Sequence, residues 1–169
     1  EAAEAVSGRG DWGGIRFVGA GKGAVLELCA IRHAISAVSA FGAAPEIRDS
    51  GIENGVTGIF VSQKGRPVLT GNAIGDMAEG GINCQQGASP RIERNVVRSC
   101  ARFGILATNN AAPVVRGNTV EGCGQGLVVN GSIPPGAGHT IRKKRQGVVA
   151  DQAGRDLGLR GKRHQRGEG

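Results

Sequence analysis

The sequence predicts an all-β solenoid: about five coils with a period of 21–23, followed by a basic extension. Three observations predict it. Four segments open alike, at Pro45, Pro67, Pro90 and Pro113, so these prolines recur at intervals of 22, 23 and 23 along the chain. Each segment closes on glycine plus an aliphatic residue: Gly58-Ile59, Gly81-Ile82, Gly104-Ile105 and Gly126-Leu127. The chain also holds 31 glycines but only 3% aromatic residues, a composition that fits a narrow stack with a turn at every corner. A fixed period of this length means repeats that bury their apolar faces only against their neighbours.

Residues 1–10 are small and polar and read as a flexible lead-in. The strand pattern begins at Asp11-Trp12-Gly13-Gly14-Ile15. Ile15, Val38 and Ile59 carry the same period toward the N-terminus, so the closing strand of the repeat is already present there. Ala24 to Ile31 aligns with the Pro45 segment, with alanine in place of proline. Registering the coils gives four inward rows. They are Leu26-Ile47-Leu69-Ile92-Val115, Ile31-Ile52-Ile74-Val97-Val120, Ile15-Val38-Ile59-Ile82-Ile105-Leu127 and Phe17-Ala40-Val61-Cys84-Ala107-Val129. Three short strands per coil, alternating inward and outward, account for all four. The repeat spans residues 11–130. Residues 131–169 show neither the period nor its turns, and read as a basic tail or as an end cap with a short helix over Val148 to Leu159.

Charge divides along the same boundary. Residues 1–131 hold 12 Lys and Arg against 11 Asp and Glu, whereas residues 132–169 hold 9 against 3. A nearly neutral body thus carries a basic tail, in which Arg142, Lys143, Lys144 and Arg145 offer a contact to nucleic acid or another polyanion. The N-terminal residues have neither the basic nor the apolar region of a signal peptide. No stretch reaches the ~18 consecutive apolar residues of a membrane span.

The segments Gly71-Asn72-Ala-Ile, Arg94-Asn95-Val-Val and Gly117-Asn118-Thr-Val resemble the right-handed parallel β-helix repeat of the pectate-lyase-like superfamily and of NosD-like periplasmic proteins. Asp11-Trp12-Gly13-Gly14-Ile15 is similar to a motif of secreted bacterial members. The resemblance implies a secreted or periplasmic module. It also implies a chain that is a fragment of a longer solenoid, or one that has lost its N-terminal coils. Asn72, Asn95 and Asn118 would then form an amide ladder at a turn. Ser50 and Cys29 occupy that position in the earlier coils, so the ladder is expected only in the later half.

Several rows carry candidate chemistry. His33, Asn54, Asp76, Ser99 and Gly122 face outward near a turn, and the first four are the candidate ligand-binding row, with His33 and Asp76 as its weak catalytic candidates. An inverting glycosidase needs two carboxylates about 6.5–9.5 Å apart, and this row has one. Cys100 and Cys123 stack on adjacent coils at a separation that suits either a disulfide or two reduced thiols. No Cys/His cluster has zinc spacing, and nothing in the pattern requires a metal or a cofactor. Two outward rows alternate in sign: Glu27 beside Arg48, Glu93 beside Arg116, Arg32 beside Glu53 and Arg98 beside Glu121. Phe60, Leu106 and Val128 form an apolar outward row that is a candidate homo-oligomer interface. Together these features favour a non-catalytic module that binds polysaccharide or serves as a scaffold. The alternatives are a polysaccharide lyase or glycoside hydrolase, and polyanion binding through the tail.

Overall fold

A computed structural model describes residues 8–19, 22–130, 140–142 and 146–150. Strand β1 (Ile15–Val18) leads into five coils of three strands each. The first is β2 (Lys22–Glu27), β3 (Ala30–Arg32) and β4 (Ser36–Phe41); the second is β5 (Ala44–Arg48), β6 (Gly51–Glu53) and β7 (Thr57–Ser62). The third is β8 (Val68–Thr70), β9 (Ala73–Met77) and β10 (Gly80–Cys84), and the fourth β11 (Arg91–Glu93), β12 (Val96–Cys100) and β13 (Phe103–Ala107). The fifth is β14 (Val114–Arg116), β15 (Thr119–Glu121) and β16 (Gln125–Val129), after which come β17 (Thr140–Arg142) and β18 (Gln146–Ala150).

Every third strand pairs in parallel, giving three sheets that run the length of the stack. The long sheet has seven strands from β1 to β18, a second sheet has five from β2 to β14, and a third has six from β3 to β17. The four inward rows expected from the sequence are in register, for example Leu26 with Ile47, Ile52 with Ile74, Val38 with Ile59 and Cys84 with Ala107. Ile47, Ile59, Leu69, Ile82 and Ile92 are fully buried. Each such side chain contributes roughly 1.5–3 kcal/mol relative to exposure, so the core is a column of small aliphatics and needs no aromatic centre.

The glycine before each closing aliphatic has a steric reason. A Cβ on Gly81 would come within 2.5 Å of Val97 Cγ1 and 2.7 Å of the Gly104 carbonyl oxygen. The third sheet and the long sheet meet too closely at this corner for any side chain.

Beyond Asn130 two described segments continue the stack, β17 in the third sheet and β18 in the long sheet, with Thr119 opposite Thr140 and Gln125 opposite Gln146. Gln146–Ala150 is a strand, so the expected short helix does not start at Val148. The sequence carries a signal for this: Gln146-Gly-Val-Val-Ala echoes Gln125-Gly-Leu-Val-Val one period later. Arg142 lies opposite Glu121 in register. Lys143, Lys144 and Arg145 fall outside the described residues.

Candidate functional site

All three corners of a coil carry left-handed backbone, and two of them position most of the polar candidates. The first joins the five-stranded sheet to the six-stranded one. Leu28, Asp49, Gly71, Arg94 and Gly117 adopt φ of 56°, 49°, 67°, 53° and 61° there. The residue after each turns inward, and in three coils it is asparagine. Asn72 Nδ2 donates to Asn95 Oδ1 at 3.0 Å and to the Ile47 carbonyl at 2.9 Å. Asn95 Nδ2 donates to Asn118 Oδ1 at 3.1 Å and to the Leu69 carbonyl at 2.9 Å. Backbone N–H groups of Asn72 and Asn95 donate to the same amide oxygens. All three side chains are buried, so the amides satisfy backbone that has no access to water.

This chain of bonds does not stop where asparagine does. Ser50 N donates to Asn72 Oδ1 at 3.1 Å, and Cys29 N donates to Ser50 Oγ at 3.2 Å. Amide-to-amide bonds join only Asn72, Asn95 and Asn118, and beyond them the chain of bonds continues through Ser50. A buried serine hydroxyl takes over the acceptor role and itself donates to the Arg48 carbonyl at 2.9 Å.

The second corner joins the six-stranded sheet to the long sheet. It holds the row His33, Asn54, Asp76, Ser99 and Gly122, with φ of 62°, 55°, 55°, 52° and 67°. Asn and Asp tolerate this conformation better than most residues, because their short polar side chains bond locally. At the N-terminal end the row is engaged. Asn54 Nδ2 lies 2.9 Å from His33 Nδ1, and Arg9 Nε donates to Asn54 Oδ1 at 3.1 Å. The His33 carbonyl accepts the N–H groups of Gly10 and Asp11 at 3.0 and 2.8 Å. Trp12 Nε1 donates to the Arg32 carbonyl at 2.7 Å, and Trp12 bridges to Ala34. Asp76 and Ser99, further along, are exposed. Sequence reasoning misses Arg9 and Trp12 as partners of this row. The offset from Trp12 to Ala34, which continues the period, is the signal that points to them.

Charged side chains on the lateral faces pair with each other. Arg32 Nε lies 2.6 Å from Glu53, Arg98 Nε 2.7 Å from Glu121, and Arg48 Nη2 3.1 Å from Glu27. Glu93 stands opposite Arg116 in register, while its carboxylate lies 3.6 Å from Arg91 and 3.9 Å from Arg94. In the apolar outward row, Phe60 and Leu106 are half-buried and Val128 is buried. Phe60 packs against Phe41 at 5.8 Å between ring centroids, and the Arg16 guanidinium lies 4.9 Å above Phe41.

The four cysteines are free thiols. Cys100 and Cys123 follow Met77 in an inward row, and their thiols donate to the Arg98 and Glu121 carbonyls at 3.4 and 3.5 Å. The interaction between the two thiols lowers Cys123 and raises Cys100. Burial pushes Cys84, in the core, up to about 12. Among the described residues, no group of three or more His, Cys, Asp and Glu side chains is placed to hold a metal ion. No helix among them is long and apolar enough to cross a membrane.

A family model for the right-handed β-helix region matches residues 7–135. No curated protein and no solved structure matches the chain. The match covers part of the lead-in and all five coils, and on that ground the chain belongs to the right-handed β-helix family.

Proposed function

We propose that the chain is a non-catalytic β-helix module, a secreted or periplasmic scaffold that holds an extended polysaccharide along the solenoid axis. The observation that carries this reading is the divided state of the second corner. His33 and Asn54 bond to each other and to the lead-in, whereas Asp76 and Ser99 stand exposed on successive coils. Strand spacing sets successive coils ~4.8 Å apart, so a polymer lying along this corner meets exposed polar side chains at two successive steps, Asp76 and Ser99. The Asp76 carboxylate accepts and the Ser99 hydroxyl both accepts and donates, which suits the dense hydroxyls of a sugar chain. His33 lies two coils from Asp76, roughly 10 Å by strand spacing. His33 Nδ1 is already bonded to Asn54, and the row holds one carboxylate where an inverting glycosidase needs two, which favours binding over bond cleavage.

The experiment is binding of the full chain to a panel of acidic and neutral polysaccharides, with unsaturated product followed by absorbance in the same wells. Retention without product is expected, weakened in Asp76→Ala and Ser99→Ala. Product formation would overturn the non-catalytic reading and return attention to a lyase. Retention by no polymer would overturn the polysaccharide assignment.

A further inference from the structure

Among the described residues, one pair of nucleophilic side chains takes no part in the lateral corner, and each member meets the other in the next coil. Cys100 stands opposite Met77 in register. On the other side Val97 pairs with Val120 and Arg98 with Glu121. The Gly124 N–H then donates to the Cys100 carbonyl at 3.2 Å, so the same register carries on and sets Cys123 beside Cys100. The other two cysteines have no such neighbour. Cys84 stands between Val61 and Ala107, and Cys29 N donates to the Ser50 hydroxyl.

Spacing and orientation both favour a bond within the pair. In-register neighbours on adjacent strands lie about 4.8 Å apart, inside the roughly 4.4–6.8 Å between Cα atoms that a disulfide spans. The two thiols leave the backbone alike, each donating to the carbonyl two residues before it. A thiol is a weak donor, so little is lost when the side chains turn toward each other. Both residues are buried, but only just beneath the second corner. Ser99 and Gly122, the residues before them, are exposed, and Gly122 has no side chain to add cover. The interaction between the thiols lowers Cys123 and raises Cys100. Cys123 is therefore the first to present a thiolate, the form that attacks.

We propose that Cys100 and Cys123 are an oxidation site, closed by a small peroxide into a disulfide that staples the fourth coil to the fifth. The Cys123 thiolate attacks one oxygen of hydrogen peroxide and the O–O bond breaks. Cys123 becomes a sulfenic acid, and the other oxygen leaves as water with the proton that Cys123 gave up. The Cys100 sulfur then attacks the Cys123 sulfur. The S–O bond breaks, and the hydroxyl leaves with the Cys100 proton as a second water. Two thiols are oxidised to one disulfide, and one peroxide is reduced to two waters. The pair faces inward, so the cross-link is independent of what the lateral corner binds.

The test treats the folded full chain with hydrogen peroxide and then blocks the remaining thiols with N-ethylmaleimide in urea. Of the four thiols, two should take the label after oxidation, and all four when reduction with a phosphine precedes the label. A tryptic digest should join residues 99–102 to residues 117–142. A cross-link constrains the unfolded chain, so the urea midpoint should rise on oxidation and return on reduction. Oxidation in urea is the control, in which pairings with Cys29 and Cys84 are expected as well. Four labels after peroxide, loss of thiols without the joined peptide, or a disulfide between two chains would each overturn the proposal. So would a midpoint that does not rise, or the same mixture of pairings in the folded and unfolded chain. Every arm uses the unsubstituted protein, so no variant has to fold for the result to count.

Discussion

The ladder corner and the corner that follows it each recur once per coil with left-handed backbone, yet they constrain sequence very differently. At the ladder corner the inward residue is Asn72, Asn95 and Asn118 in three successive coils, each almost wholly buried. At the other corner, His33, Asn54, Asp76, Ser99 and Gly122 share a backbone conformation and little else. Both need positive φ. Only the first encloses backbone groups that water cannot reach, and a side-chain amide both accepts and donates there. Where a buried polar group must be matched the residue type is held, and where only a turn must be made it is free. Repetition in this chain therefore marks burial rather than binding.

The largest effect should come from breaking the ladder at its centre. The Asn95 amide accepts from Asn72 N and Nδ2 and donates to Leu69 O and Asn118 Oδ1. Asn95→Ala strands the Asn72 N–H and the Leu69 carbonyl in a dry corner, and each unsatisfied group costs ~1–3 kcal/mol. For two such groups a loss of about 4 kcal/mol is expected from the urea midpoint. Asn95→Ser should recover part of it, since Ser50 already fills this role in the second coil. Equal losses in both variants would mean that the amide geometry itself is indispensable.

The same contrast explains how much can be read in the sequence. The inward rows are legible because their identities hardly vary and the period holds from coil to coil. The ladder is legible in its asparagine half. Its continuation through Ser50 and Cys29 is not, because a hydroxyl or a backbone N–H can fill the same role without repeating the letter. The sixth, partial coil is obscured because the Pro-rich stretch at 131–138 breaks the opening pattern, while only Gln146 to Ala150 keeps the closing one. The partners of His33 and Asn54 are hidden for another reason. Asp11, which donates to the His33 carbonyl, and Arg9, which donates to Asn54, come from a lead-in whose sequence does not show the repeat pattern.

Burial also separates cysteines of one residue type. Cys84 has its pKa raised from 9.0 to about 12 by desolvation. A group raised on folding contributes stability that is fully present below its unfolded value and is lost as pH rises through the folded one. Stability should hold up to about pH 9 and then fall toward pH 12. A loss of roughly 2 kcal/mol is expected at about pH 10.5. Urea melts of the parent and of Cys84→Ala across this range check it: the variant should be less stable at neutral pH but should lack that part of the alkaline decline. An identical decline in both would assign the limb to other groups.

The exposed corner offers a smaller effect of opposite sign. Ser99 has φ of 52° and its neighbour in the next coil is Gly122 at 67°. Ser99→Gly relieves a conformation that disfavours an L side chain by ~1–2 kcal/mol, against the ~0.5–1 kcal/mol lost through added freedom of the unfolded chain. The net gain should be at most about 1 kcal/mol in the urea midpoint. A clear loss would show that the serine hydroxyl makes an interaction the turn depends on, and the contrast between the corners would have to be redrawn.

The smallest effect concerns the lateral charge rows. Arg98 and Glu121 lie 2.7 Å apart, with the Arg98 side chain 62% exposed. Exposed pairs of this kind contribute ~0.2–1 kcal/mol. A double-mutant cycle with Arg98→Ala and Glu121→Ala should therefore give a coupling of about 0.5 kcal/mol, falling further in high salt. A coupling several times larger, insensitive to salt, would mean that the pair is more shielded from water than its exposure indicates. The outward faces would then need to be placed with the ladder corner as regions where residue identity is held by the fold.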